Sequence, residues 1–396
     1  MPPSSGCDAT TGMLASDEMN CQPSSNTQEI VVDDGLSIRG GLQILLLLLL
    51  LPLIGAVVAG LPLAPYLKFP PTTRPTVHPE FSWIAFLIVA IIPIGTITPF
   101  LKQLLRERLT CPASIPSVRD FPWWGSAALV FTGAIWCMAW SSLPLLSEVR
   151  RFSFTPLWLG YIAVVNALTW QRSGYSLLSD RPRFLAWLFV LSAAVWWYFE
   201  YLNRFVNNWY YQGIENYSPF EYFLTATFPF STVLPAVLST YFLLWTYPRL
   251  WWGIHATWPL NPARPRLWGG VAFIFGVAGL LGIAIFPQQL YPLVWVAPLI
   301  LITAAQAVTK RSTVFFSLVR GDWRPVWLAA MAGIICGFFW EMWNWGSYPR
   351  WVYSVPGVQR FHLFEMPLLG YTGYLPFGVE CLAVSHLYLF RQEPHG

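Results

Sequence analysis

Charged residues are scarce in this chain. Asp, Glu, Lys and Arg make up 11% of its 396 residues, whereas an ordinary soluble domain has about 25%. Hydrophobic residues make up 55%. A soluble core cannot cover so much apolar surface. The composition therefore excludes a soluble domain and favours an all-α membrane protein.

Histidine and cysteine are also few, and their spacing argues against several kinds of site. The five histidines show neither the H-x-x-x-H nor the E-x-x-H spacing of helical metal sites, and the six cysteines contain no C-x-x-C pair. We therefore predict no metal ligands and find no cofactor implied. No P-loop, dinucleotide fingerprint or Ser-His-Asp set is recognisable, and no basic patch suggests a nucleic-acid partner.

Long apolar runs dominate the chain from residue 43 onward. Most are close to the ~20 residues that a helix needs to cross the hydrocarbon core, and they are continuously apolar, unlike the alternating strands of membrane barrels. We predict about ten transmembrane helices, within residues 43–65, 82–101, 122–146, 154–170, 184–203, 220–246, 267–286, 291–308, 326–344 and 366–390.

The distribution of Lys and Arg predicts the orientation of these spans. If the N-terminus is cytoplasmic, the inner segments hold more than twice as many Lys and Arg residues as the outer loops. The positive-inside rule then places both termini in the cytoplasm and the chain in the inner (plasma) membrane.

From residue 121 onward the chain looks like one four-helix unit written twice. The segment from Trp124 to Phe131 resembles that from Trp268 to Phe275, and an E-x-x-N motif ends a helix in each copy. We predict a disordered cytoplasmic tail at 1–40, two N-terminal spans and a basic loop at 41–120, and repeats at 121–247 and 265–391. An even number of spans per unit makes the two copies parallel.

Four glutamates near the outer helix ends are the strongest candidate site. Glu200 and Asn203 form one E-x-x-N motif, and Glu341 and Asn344 form the other. Residues three apart share a helix face, so each asparagine amide is expected to orient its carboxylate. Phe-Glu pairs follow each aromatic loop, at Glu221 and Glu365, where we expect each glutamate to open the last helix of its copy.

These environments predict a division between acid and base. The first turn of a helix favours an ionised carboxylate, whereas burial among Trp and Phe favours a protonated one. Glu341 is the predicted proton donor and Glu365 the base or charge stabiliser, with His362 nearby on the same loop. The alternative is structural: the glutamates pair with Arg204, Arg350 and Arg360 and fix the outer loops.

Further candidates surround these acids. Glu380 lies in the middle of the last span and has no counterpart in the first copy, which suggests a special task for it. We expect an apolar substrate to contact aromatic faces and neighbouring polar groups, and the candidates are Trp196, Trp209, Trp340, Trp343, Trp351, Tyr353, His362 and Glu380.

The segments Trp340-Glu341, Arg350-Trp351-Val352-Tyr353 and Phe364-Glu365 resemble the integral-membrane lycopene cyclases and related membrane terpene cyclases. In those families carboxylates in duplicated halves protonate an isoprenoid. The resemblance implies that Glu341 and Glu365 match the two acidic positions, and that Glu200 and Glu221 match them in the first half. The present repeat differs in having four spans instead of three and a single glutamate where the cyclases often have two.

Three functions fit this pattern. The first is an enzyme that performs acid–base chemistry on a lipid or isoprenoid, of the cyclase or isomerase type. The second is a transporter or channel that uses the glutamates as proton or cation sites. The third is a non-catalytic partner in a larger membrane complex, docked through its aromatic outer loops. In each, the lipid bilayer is the surrounding medium.

Overall fold

The computed structural model describes residues 38–107, 110–111, 119–141, 143–146 and 150–389. The predicted tail therefore lies outside the described residues, except for 38–40, which begin the first helix. Helix makes up 71% of the structure and there is almost no sheet, so the predicted all-α class is confirmed. The longer helices are α1 Ile38–Val58, α2 Trp83–Glu107, α3 Trp123–Ala139, α4 Phe154–Ser173, α5 Pro182–Val206, α6 Pro219–Ser231, α7 Val233–Trp245, α8 Pro265–Ile285, α9 Ala297–Val308, α10 Arg324–Trp345 and α11 Tyr374–Leu389.

Many of these helices have the length and hydropathy of membrane spans. Within the described residues, six helices pass on both counts, with α6 and α7 taken together as one span from Pro219 to Trp245. A bent pair, Pro287–Trp295 and Ala297–Val308, makes a seventh if it crosses as one. The chain is therefore a multi-pass helical membrane protein.

Local sequence explains where several helices begin and break. Pro182 occupies the first turn of α5, where its missing N–H is no loss, and Pro265 does the same in α8. Ser218 and Glu221 form a reciprocal capping box at the start of α6. The predicted 220–246 span is interrupted at Thr232, three residues after Pro229, and continues as α7.

Four short strands lie between the helices. Strand β1 (Trp209–Gln212) pairs antiparallel with β2 (Arg350–Tyr353), and β3 (His362–Leu363) pairs with β4 (Met366–Pro367). The prediction that span ten begins at residue 366 is wrong, because residues 366–373 form a strand and a short 3-10 helix. The last helix begins only at Tyr374.

The interior is built around α7, most of whose side chains are buried. It contacts α4, α5 and α10. Other close pairs are α1 with α8, α3 with α4, α8 with α9, and α10 with α11. Aromatic rings fill the space near the ends of α5 and α10, where Trp158 and Trp343 are almost completely buried.

Candidate functional site

The two E-x-x-N motifs end the long helices α5 and α10, as the sequence predicts. Glu200 is 1% exposed and Glu341 is 0% exposed. A buried carboxyl group needs hydrogen-bond donors to offset the loss of water. The two strands that follow these helices supply most of those donors.

The asparagines hold the strands in place. Asn203 donates to the carbonyl oxygen of Trp209 at 2.7 Å, and its Oδ1 accepts from the backbone N–H of Asn208 at 2.8 Å. Asn344 donates to the carbonyl of Trp351 at 2.8 Å and accepts from its N–H at 2.9 Å. The sequence predicted that each asparagine amide orients its carboxylate directly. Instead, each amide bonds to the backbone of a strand, and side chains of that strand donate hydrogen bonds to the glutamate.

The register of β1 and β2 puts four aromatic side chains on one face of the ribbon. Trp209 lies opposite Tyr353, and Tyr211 lies opposite Trp351. Side chains two residues apart point to the same side of a strand, so all four belong to one face, and all four line the same cavity.

Glu200 accepts all of its assigned hydrogen bonds on Oε1. The Tyr211 hydroxyl donates at 2.7 Å, and the indole N–H groups of Trp209 and Trp196 donate at 3.0 and 3.2 Å. Arg204, four residues on, is turned to the carbonyl oxygens of Tyr66 and Lys68. Arg204 therefore forms its hydrogen bonds with backbone carbonyl oxygens and not, as the structural alternative predicted, with a glutamate.

Glu341 is bonded mainly by hydroxyl groups. The Tyr374 hydroxyl donates to its Oε1 at 2.6 Å and the Tyr353 hydroxyl at 2.8 Å. Trp351 donates to the Tyr353 oxygen at 2.9 Å. The buried Oε2 of Glu341 has no partner among the described residues.

A single cavity of about 830 Å³ lies against both glutamate sites. Its walls are mainly apolar and come from α2, α6, the β1–β2 ribbon and the segments 291–296 and 366–376. The glutamates themselves are not among the lining residues, but Tyr211, Tyr353 and Tyr374 are. Phenol groups therefore lie between each carboxyl and the cavity. The aromatic lining includes Trp196, Trp209, Trp295, Trp340, Trp351, Tyr211, Tyr353 and Tyr374.

The strand tyrosines remain protonated donors. Burial raises the pKa of Tyr211 and of Tyr353 well above the usual phenol value, and the nearby Glu200 and Glu341 carboxyls raise it further. A phenol that stays protonated both donates a hydrogen bond and accepts one through its oxygen. It can therefore pass a proton between a carboxyl and a bound molecule.

Three other predicted residues lie outside this cavity lining. Glu221 is exposed and caps α6, as its first-turn position predicts. Glu365 was expected to open the last helix; it lies instead in the turn between β3 and β4 and pairs with Arg350 at 2.8 Å. That ion pair is one of those named in the structural alternative. His362 is exposed and contacts Gln359 at 3.1 Å.

Two more predicted residues are buried away from the cavity lining. Trp343 packs edge-on against Trp136 and Trp158. Glu380 is 3% exposed, and its Oε2 has no partner among the described residues. It is near Tyr198 of α5.

Some residues of the cavity were missed by the sequence analysis. Tyr211 was seen only as part of an aromatic loop, and Tyr374 and Trp295 were not singled out. Because the predicted span began at residue 366, no signal in the sequence marked Tyr374 as the start of a helix.

Taken together, the fold and the site define a multi-pass helical membrane protein with an aromatic internal cavity bordered by two buried glutamates. Among the described residues, no group of three or more His, Cys, Asp and Glu side chains is placed to hold a metal ion. No protein-family model, curated protein or solved structure matches the chain.

Proposed function

We propose that this protein is an integral membrane enzyme that performs acid–base chemistry on an apolar lipid or isoprenoid, of the cyclase or isomerase type. One observation carries the proposal: two buried glutamates contact the same aromatic cavity through tyrosine hydroxyls. A proton can thus enter a bound molecule on one side and leave it on the other. Isomerisation and cyclisation require that balance, because no net proton is consumed.

In this mechanism Glu341 is the proton donor. In the protonated state the Glu341 O–H donates to the hydroxyl oxygen of Tyr374 or Tyr353, so that one of these two hydrogen bonds reverses. That hydroxyl gives its own proton to a carbon–carbon double bond as it takes the carboxyl proton, which leaves Glu341 ionised and a carbocation in the cavity. The faces of Trp196, Trp340 and the other lining indoles stabilise that cation through their quadrupoles. Tyr211 then takes a proton from a neighbouring carbon and passes its own to Glu200, and a new double bond forms.

We propose further that the chain crosses the inner (plasma) membrane ten times, that it contains two parallel repeats, and that both termini are cytoplasmic. Each of the ten predicted apolar stretches contains helix. Equivalent pairs contact in both halves: α3 with α4 and α8 with α9, then α5 with α6 and α10 with α11. The two strands that follow the E-x-x-N motifs pair antiparallel, as a twofold axis between the halves requires.

The direct test is the variant Glu341→Gln. Glutamine keeps the shape and can accept the tyrosine hydrogen bonds, but it has no acidic proton. The purified protein is incubated with a total lipid extract, and isomerised or cyclised products are measured by mass spectrometry. We expect turnover to fall by about 10²–10⁴-fold, the usual contribution of a general acid.

The matched control is Glu80→Gln, since Glu80 is exposed. Its turnover should equal that of the unmodified protein. Normal turnover by a folded Glu341→Gln variant would rule out the proposed acid. Thermal unfolding and gel filtration of each variant separate loss of chemistry from loss of fold.

A second candidate function is proton or cation transport, which the buried Glu380 favours. An intramembrane carboxyl without a partner is a frequent element of ion pathways. In proteoliposomes with an enclosed pH-sensitive dye, transport predicts a proton or cation flux that Glu380→Gln abolishes. An equal flux in both proteins, or none, would exclude this role for Glu380.

A further inference from the structure

The aromatic cavity adjoins a second, more polar space, here called the vestibule. The lining of the vestibule includes Arg150, Gln212, Glu215 and Tyr348. Four residues line both spaces, namely Arg151, Tyr217, Pro349 and Arg350. The apolar cavity is therefore bordered by a space that is lined by three arginines, Arg150, Arg151 and Arg350, and this border is called its mouth below.

Two of these arginines are held in place by neighbouring side chains. Arg350 donates to Glu365 at 2.8 Å and to Gln212 at 3.3 Å. Arg151 bonds to the Tyr217 hydroxyl, and its guanidinium carbon is 4.4 Å from the centre of that ring. Both guanidinium groups are thus oriented before any ligand arrives, which lowers the entropy lost on binding.

Arg150 differs from the other two because one of its donors, the Nε–H, is unused among the described residues. Its Nε is buried and has no acceptor among the described residues. A buried donor without a partner is costly, and one on a guanidinium group favours an oxyanion.

The acidic residues of the vestibule have other hydrogen bonds. Glu215 accepts from the backbone N–H of Gly213 at 3.1 Å, and Glu221 accepts from that of Ser218 at 2.7 Å. Glu221 also attracts Arg151 electrostatically. Neither glutamate forms a hydrogen bond with Arg150 among the described residues, so that guanidinium keeps its donor for a ligand.

We infer that the ligand of this cavity is an amphiphile whose oxyanion head group, a phosphate or carboxylate, binds at Arg150, Arg151 and Arg350 while its hydrocarbon tail fills the aromatic cavity. This inference rests on the proposed function, which takes a lipid or isoprenoid as the substrate, and it narrows that substrate to one with an anionic head group. Arginine suits such head groups because its planar fork of donors matches two oxyanion oxygens. The head at the mouth also fixes how far the tail reaches toward Tyr353 and Tyr374.

The test compares ligands that share one tail. Geranylgeranyl phosphate, geranylgeranoic acid and geranylgeraniol are titrated into the full-length protein in a non-ionic detergent, and binding is followed by quenching of tryptophan fluorescence. We expect at least one anion to bind about tenfold or more tightly than the alcohol. In Arg150→Gln the preference for the anion should fall severalfold, because Arg151 and Arg350 remain, whereas Arg150→Lys should keep more of the preference than Arg150→Gln.

Arg360→Gln is the matched control, because Arg360 is an outer-loop arginine that stacks on Phe81 and Trp83 away from the vestibule. It should keep the full preference. Phosphatidic acid is titrated as a further ligand. If it binds and its binding depends on Arg150, the cavity accepts an acyl tail; if it does not bind, the cavity is specific for an isoprenoid tail. Equal affinity for anions and alcohol in the unmodified protein, or an unchanged preference in a folded Arg150→Gln, would overturn the inference.

This outcome is separate from that of the proposed reaction. If the protein prefers an anion but its turnover does not depend on Glu341, the head-group site is supported and the proposed acid chemistry is wrong. Turnover that depends on Glu341, with no preference for an anion, would mean the reverse.

Discussion

Tyr374 reaches Glu341 because residue 337 is glycine. A Cβ atom at Gly337 would lie 2.3 Å from the Tyr374 ring. Gly337 is four residues before Glu341, whereas Trp196 is four residues before Glu200 and fills the corresponding place with an indole that donates to the carboxyl. The first glutamate therefore has two indole donors and one phenol, and the second has two phenols.

This difference supports the proposed donor role of Glu341, which has two phenols and no directly bonded indole. An indole N–H donates but cannot accept, so it cannot relay a proton, whereas a phenol can do both. The double variant Tyr353→Phe with Tyr374→Phe removes both relays but keeps the rings. We expect its turnover to fall by about 10²-fold or more, as measured with the lipid-extract assay.

The control for this variant is Tyr210→Phe, because Tyr210 lies on the other face of the ribbon and does not line the cavity. Its turnover should be close to that of the unmodified protein. Equal turnover in the double variant and the control would mean that the phenols only brace Glu341.

At the scale of elements, α10 and α11 approach each other through glycines. A Cβ at Gly333 would lie 2.2 Å from the carbonyl oxygen of Tyr374, and one at Gly378 would lie 2.0 Å from that of Ala329. Gly333 and Gly337 form the small-x-x-x-small spacing that lets membrane helices pack backbone to backbone. This close contact sets the position of Tyr374 at the start of α11.

Gly378→Ala should therefore destabilise the protein. The added methyl group meets backbone and must push the two helices apart, at a cost of about 1–3 kcal/mol. Thermal unfolding in detergent measures the effect. Gly133→Ala is the control, because nothing lies within 4 Å of a Cβ there and a helix gains by the change. A Gly378→Ala variant as stable as Gly133→Ala would contradict the packing described.

The sequence predicted the helices better than the segments between them. Apolar runs indicate long helices directly, and the E-x-x-N motifs indicated the helix ends that carry the site. The β1–β2 ribbon could not be predicted, because its strands are far apart in the chain and its register depends on tertiary contacts. For the same reason Glu365 was placed in a helix, although Arg350 and the β3–β4 turn hold it.

At the scale of the whole molecule, the cavity lies where elements from both halves of the chain meet. Its lining includes residues of α6 and β1 from the first half and of β2 and α11 from the second. Helix α2, the least buried of the candidate spans, adds a wall through Val89, Ile92 and Thr96.

The proposed topology makes a separate prediction. In a variant without native cysteines, Glu80→Cys should react with an impermeant maleimide on intact cells, because residue 80 is placed outside. Arg264→Cys should react only after the membrane is opened, because residue 264 is placed inside; both positions are exposed in the fold. Labelling of residue 264 in intact cells would contradict the orientation predicted from the positive-inside rule.

The most direct measurement of the central claim is the source of the hydrogen in the product. The unmodified protein is incubated with lipid extract in deuterium oxide, so that Glu341 and its tyrosines carry deuterium. The proposed mechanism predicts isomerised or cyclised product in which one deuterium replaces one hydrogen. With Glu341→Gln it predicts no such deuterated product. Product that forms without deuterium, or with equal deuterium in the variant, would contradict protonation by Glu341.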